Sequence, residues 1–141
     1  MTLKERMTTR KIGAAAAVVA AAAGMVFAAQ PANAAYPTST FDITYGASYY
    51  RGTVTWYNRS VGVAGTFKAT GCRRVYASAW AGSVRTDYRS TSTHCDSTTS
   101  TSFSLTADVV GGADVVDLWM TDGGGTYLKG VACYRGDSTC A

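Results

Sequence analysis

Val61-Gly62-Val63-Ala64-Gly65-Thr66-Phe67-Lys68-Ala69 and, after the break Thr70-Gly71-Cys72, Arg73-Arg74-Val75-Tyr76-Ala77-Ser78-Ala79-Trp80 decide the fold class. In the first run Val61, Val63, Phe67 and Ala69 share one face. In the second, Val75, Ala77 and Ala79 share one face, opposite Tyr76 and Trp80. Period-two alternation of β-branched and aromatic residues is the mark of a half-buried strand. Further runs of this kind are predicted at 41–45, 52–57, 84–88, 102–107, 115–121 and 126–134, separated by Gly, Asn and Ser. Asn58-Arg59-Ser60 and Asp122-Gly123-Gly124-Gly125 supply turn residues. Apolar residues do not recur at helical spacing over any dozen residues after Ala34. The expected class is all-β, a small antiparallel β-sandwich of about seven to eight strands, with a small barrel as the alternative. The polar stretch from Arg89 to Ser104, around His94 and Cys95, reads as a surface loop.

Upstream of this pattern the chain changes character. Lys4, Arg6, Arg10 and Lys11 precede an apolar run from Ile12 to Ala29 that leads into Pro31-Ala32-Asn33-Ala34. A basic start, an apolar middle and a small-x-small ending describe a secretory signal peptide, cleaved after Ala34. The alanine-rich run is at the lower limit for crossing about 30 Å of hydrocarbon, so a retained anchor is not expected. The predicted organisation is residues 1–34 as leader, 35–46 as an extended N-terminal arm and 47–141 as the sandwich domain.

Removing the leader changes the charge. Four of the 13 Lys and Arg residues and one of the nine acids, Glu5, lie within it, which leaves nine cations, eight aspartates and a net charge of +1. The basicity of the whole sequence is therefore no argument for nucleic acid or anionic membrane as a partner. All four cysteines, Cys72, Cys95, Cys133 and Cys140, follow the leader, and an even number in an exported chain implies two disulfides. Three connectivities are possible. Closing the shorter loops costs least chain entropy, which favours Cys72 with Cys95 and Cys133 with Cys140.

Catalytic signatures are sparse. His94 is the only histidine; with Ser92, Ser97 and Asp96 nearby a Ser-His-Asp relay can be drawn, but no nucleophile elbow accompanies it. One histidine with oxidised cysteines does not make a catalytic zinc site. Asp108, Asp114, Asp117 and Asp122 cluster beside glycines, where aspartate ordinarily caps turns, and no Glu remains to complete a glycosidase pair. Their spacing is not that of a calcium loop, and the glycine run at 123–125 precedes no helix that would cradle phosphate. No cofactor and no metal are expected.

The informative surplus is aromatic. All nine tyrosines and all three tryptophans follow the leader. Tyr49, Tyr50, Trp56 and Tyr57 fall in one stretch whose alternation does not bury them all, and exposed Tyr and Trp anchor protein interfaces and stack on sugars. Phe41-Asp42-Ile43-Thr44-Tyr45 reads as a short amphipathic strand able to pair with its own sheet or with a partner's open edge. The expected partner-binding residues are thus Tyr36, Phe41, Ile43 and Tyr45 on the arm, with Tyr49, Tyr50, Trp56 and Tyr57. Arg73, Arg74, Arg85 and Arg89 near Tyr76 and Trp80 form at most a modest basic face suited to an acidic partner.

Among small exported sandwiches with two bridges, tendamistat-like amylase inhibitors act through a Trp-Arg-Tyr turn. Here Ser48-Tyr49-Tyr50-Arg51 and Thr55-Trp56-Tyr57-Asn58 stand instead, so the similarity is one of class. The exported leader, the arm at Tyr36–Tyr45 and the compact domain from Gly52 to Tyr134 resemble the small B component of the umbrella toxin particles secreted by Streptomyces. That resemblance implies a non-enzymatic adaptor, its arm inserted into a partner, within a secreted antibacterial hetero-complex. The leading expectation is a secreted protein-binding module. The alternatives are an inhibitor of a secreted hydrolase, presenting a rigid loop near Trp56 or His94, and a small carbohydrate-binding protein or hydrolase.

Overall fold

The computed structural model describes residues 35–141; the proposed leader and its cleavage site lie outside the described residues. Seven strands carry the chain from Tyr36 to Ala141 as one unit, and no helix occurs among the described residues. They are β1 (Thr38–Tyr45), β2 (Ser48–Trp56), β3 (Ser60–Ala81), β4 (Val84–Ser90), β5 (His94–Thr106), β6 (Val115–Asp122) and β7 (Tyr127–Tyr134).

The two runs that decide the class are a single strand. β3 is 22 residues long, and it changes partners half-way: residues 60–69 pair with β2 and β5, whereas 73–80 pair with β6 and 76–81 with β4, all antiparallel. One layer is therefore β1-β2-β3-β5 and the other β4-β3-β6-β7, with β3 bent through both. The bend is a bulge at Thr70 and Gly71, where Gly71 takes a φ of 75°. Such a conformation is open to glycine at little cost. Backbone groups released by the bulge find side-chain partners. The hydroxyl of buried Ser48 accepts from the Thr70 amide (3.0 Å) and donates to its carbonyl (3.2 Å), and the Asp96 carboxylate accepts from the Gly71 amide (2.7 Å). Val61, Val63, Phe67 and Ala69 before the bulge and Val75, Ala77 and Ala79 after it all face one core.

Both disulfides are those with the shorter loops. Cys72–Cys95 joins directly paired residues of β3 and β5 beside the bulge, and Cys133–Cys140 ties the C-terminal tail to β7. The tail closes one side of the sandwich. Thr40 donates to the Ser138 carbonyl (2.9 Å) and accepts from the Cys140 amide (2.8 Å), while Ala132 and Ala141 exchange backbone bonds of 2.8 and 3.1 Å. β1 and β7 are thus stitched together through residues 138–141. On the opposite side Asp87 of β4 accepts from the Thr106 amide of β5 (2.8 Å).

Two expectations are corrected. The segment 89–104 is not a loop: only residues 91–93 leave the ladder, and β5 pairs along β3 from Ser60 to Arg73. Serine and threonine polarity determined which face meets water, not the backbone state, and β-branched threonine suits a strand well. Nor do residues 35–46 stand apart. β1 pairs with β2 in full register from Thr38–Thr55 to Tyr45–Ser48, and the Pro37 carbonyl accepts from the Trp56 amide (2.9 Å).

Candidate functional site

Four of the eight residues expected to meet a partner are core. Phe41 and Trp56 are 4% and 1% exposed, and Ile43 and Tyr50 are fully buried. The Tyr50 ring packs on Phe41 (4.8 Å between centroids), Phe67 (6.0 Å) and Phe103 (6.3 Å), and its hydroxyl donates to the Thr101 carbonyl on β5 (3.1 Å). Burial pushes the Tyr50 phenol well above its ordinary pKa. The Trp56 indole donates to Ser39 Oγ (2.9 Å), which donates in turn to the Asp137 carbonyl (2.5 Å). The other four do not form one platform. Tyr36 lies edge-on to Tyr57 (4.8 Å) at one end of β2, whereas Tyr45 and Tyr49, the latter under the Arg51 guanidinium (4.1 Å), lie at the other end, about 26 Å away at ordinary strand rise.

An aromatic platform does form, on the outer face of the second layer. Tyr76 of β3 pairs directly with Trp119 of β6, and their rings stack with centroids 5.2 Å apart and planes 5° from parallel. Tyr88 of β4 joins both, at 6.1 Å from Tyr76 and 6.0 Å from Trp119. Two guanidiniums cover the cluster, with Arg74 5.3 Å from the Tyr76 centroid and Arg85 4.9 Å from that of Tyr88. Tyr88 remains 44% exposed.

The next row across this face starts at Tyr88 and continues with small and polar residues: Tyr88 pairs with Ser78, Ser78 with Asp117 and Asp117 with Ala132. Beyond it comes Trp80. The low row between the two indoles is the floor of a groove of about 390 Å³, bounded by Trp80, Trp119, Arg85 and Tyr127. Gly130 keeps it low. A Cβ there would sit 2.7 Å from the Leu118 carbonyl oxygen and 2.9 Å from Trp119 Cβ, closer than real Cβ contacts permit. The Trp80 indole donates to Ser78 Oγ (3.1 Å). Asp117 is half-buried on this floor and, among the described residues, forms no ion pair. Desolvation raises its carboxyl pKa, with the Trp80 indole opposing the shift.

Asp114 and Asp122 serve the backbone, and Asp108 serves an exposed ion pair. Asp114 accepts from the Gly82 amide (3.2 Å), Asp122 accepts from the amides of Gly124 and Thr126 (2.9 Å each), and Asp108 pairs with Arg59 (2.9 Å). Asp96 is engaged at the bulge, and the His94 ring packs edge-on against Phe67 (5.4 Å). Among the described residues no group of three or more His, Cys, Asp or Glu is placed to hold a metal ion. No known family matches the chain, and no curated relative was found.

Tyr76 and Trp80 are legible in the sequence as the outward positions of an alternating strand. Their union with Tyr88, Trp119 and Asp117 is not. It depends on the registers of β3 with β4 and β6, which pair these residues across 10 (Ser78–Tyr88) to 43 (Tyr76–Trp119) residues of chain and leave no local signal.

Proposed function

We propose that the chain is a secreted, non-enzymatic binding module that engages an acidic surface of another secreted protein through the outer face of its second layer, as an adaptor subunit in a hetero-complex. The observation that carries this reading is the Tyr76–Trp119–Tyr88 cluster with Arg74 and Arg85 upon it. Tyr, Trp and Arg are the residues that dominate interface energetics, Tyr and Trp because each offers a large rigid area for little entropy lost, Arg because its planar guanidinium both stacks and hydrogen-bonds. The two guanidiniums give the face its preference for a partner of opposite charge. Export through the leader and two disulfides suit an oxidising exterior. The resemblance to the umbrella-particle B component supplies the adaptor role. In this reading the binding surface is the β4-β3-β6 face, because β1 is committed to its own sheet.

The test is capture from native culture supernatant by tagged wild-type protein and by Tyr88→Ala and Arg74→Ala. A partner held by the wild type and lost at least tenfold by Tyr88→Ala, more weakly held as salt rises, is the expected result. Equal capture by all three removes the face from the reading. Recovery of one hydrolase, inhibited in the complex, selects the inhibitor alternative.

A further inference from the structure

The groove beside the aromatic cluster has chemistry of its own. Two residues along an antiparallel strand span about 7 Å, so Trp119 and Trp80 stand one row to either side of the Ser78–Asp117–Ala132 row. The walls are aromatic and the floor is polar. The volume of about 390 Å³ lies within the range of about 300–1,000 Å³ typical of small-molecule sites. Its polar groups differ in kind. Ionised Asp117 only accepts and Arg85 only donates. The Ser78 hydroxyl, buried beneath this floor, accepts from Trp80 and fixes the position of that indole.

That set discriminates among ligands. A cation would meet Arg85 at the rim, and an anion would meet Asp117 on the floor. A wholly apolar ligand would strip water from the Asp117 carboxylate and give nothing back, a costly exchange. A neutral polyol with one C–H face suits both Asp117 and Arg85, because each hydroxyl both donates and accepts while the carbon skeleton lies against an indole. We infer that the groove between Trp80 and Trp119 is a saccharide subsite, with a neutral pyranose seated against the indoles, its hydroxyls donating to Asp117 and accepting from Arg85. The subsite goes beyond the proposed protein-binding face, and neither Arg74 nor Tyr88 lines it.

The test uses the processed protein purified from culture supernatant on an array of neutral pyranose oligosaccharides that includes chitin- and β-glucan-derived chains, followed by titration of the best binder with tryptophan fluorescence as the readout. The expected result is saturable binding, weakened at least tenfold by Asp117→Asn, which preserves shape, and by Trp80→Ala, but within twofold of wild type in Tyr45→Ala, on β1 and away from the groove. An array with no saturable binder overturns the inference. So does binding that Asp117→Asn leaves within twofold. Asp117→Asn keeps the test decisive even where Trp80→Ala fails to fold. Protein capture is scored with Arg74→Ala, which does not line the groove, so either proposal can fail without the other.

Discussion

Gly52 of β2 and Gly65 of β3 oppose each other on the core side of the first layer, between positions filled by Tyr50, Val54, Val63 and Phe67. A Cβ on Gly52 would reach 2.5 Å from the Gly65 Cα, and one on Gly65 would run into the Arg51 carbonyl. Close backbone approach is what makes glycine necessary here. Gly65→Ala is expected to cost about 2–3 kcal/mol, the cost of overpacking a tight core, read as a lower urea midpoint; a loss below about 0.5 kcal/mol would refute this account. Two aspartates carry opposite pH signatures. Desolvation works against the Asp87 carboxylate, yet the amides of Thr106 and Tyr88 and the Arg89 guanidinium hold its pKa below the ordinary 3.8. A depressed folded pKa means stability present above the unfolded value and lost as pH falls through the folded one, so Asp87→Asn should flatten the decline in melting temperature below about pH 4. Asp117 is the reverse. Its raised pKa favours the folded state below the unfolded value, an advantage lost as pH rises through the folded one. Asp117→Asn is therefore expected to raise the melting temperature at pH 7 and leave it unchanged near pH 3. A lower melting temperature at pH 7 would give the carboxylate a structural role. A charge kept on a groove floor against stability belongs with binding rather than architecture.

At the scale of elements, β1 and the tail decide whether the N-terminal segment is an arm or a strand. Read from sequence, its alternation supports pairing with either its own sheet or a partner. What resolves the choice is non-local: the Cys133–Cys140 bridge holds residues 138–141 where Thr40 meets them, across nearly 100 residues of chain. Removal of residues 36–45 would take Phe41 and Ile43 from the core and leave the β2 edge and the aromatic ring of Tyr50 open to water. The expected outcome is loss of the cooperative thermal transition; a truncated protein that still melts cooperatively near the wild-type temperature would return the segment to the role of a detachable arm. The same contrast marks the limits of legibility elsewhere. Alternation located most strands, and Gly, Asn and Asp located the turns at 58–60 and 122–125, because both signals are local. The union of two predicted strands into β3 depended on one glycine in a left-handed conformation, supported by Ser48 and Asp96 from other strands. The strand in the Ser/Thr-rich stretch depended on β3 lying alongside it. Neither circumstance is written in the residues concerned.

For the whole molecule, one bent strand makes two layers from a single hydrogen-bonded network, and the two disulfides sit where that network is weakest, at the bulge and at the tail between β1 and β7. The face carrying the Tyr76 cluster and the Asp117 groove is spread over β3, β4, β6 and β7, so it exists only while their registers hold. On the proposed reading, binding is in this way tied to redox state. Sequence separations of 23 and 7 residues correspond, on the chain-entropy account, to stabilisation of about 3.4 and about 2.5 kcal/mol. The bridges clamp different parts of the sheet, so their contributions should nearly add. Their sum approaches the whole stability of many domains of this size, about 5–15 kcal/mol. Reduction without denaturant is expected to lower the urea midpoint sharply and to abolish saccharide binding and protein capture together. Cys133→Ser/Cys140→Ser should cost less than Cys72→Ser/Cys95→Ser, in the order of loop length. A reduced chain that keeps its midpoint and its ligands would mean that packing alone maintains the registers, and that the bridges protect against proteolysis rather than create the binding face.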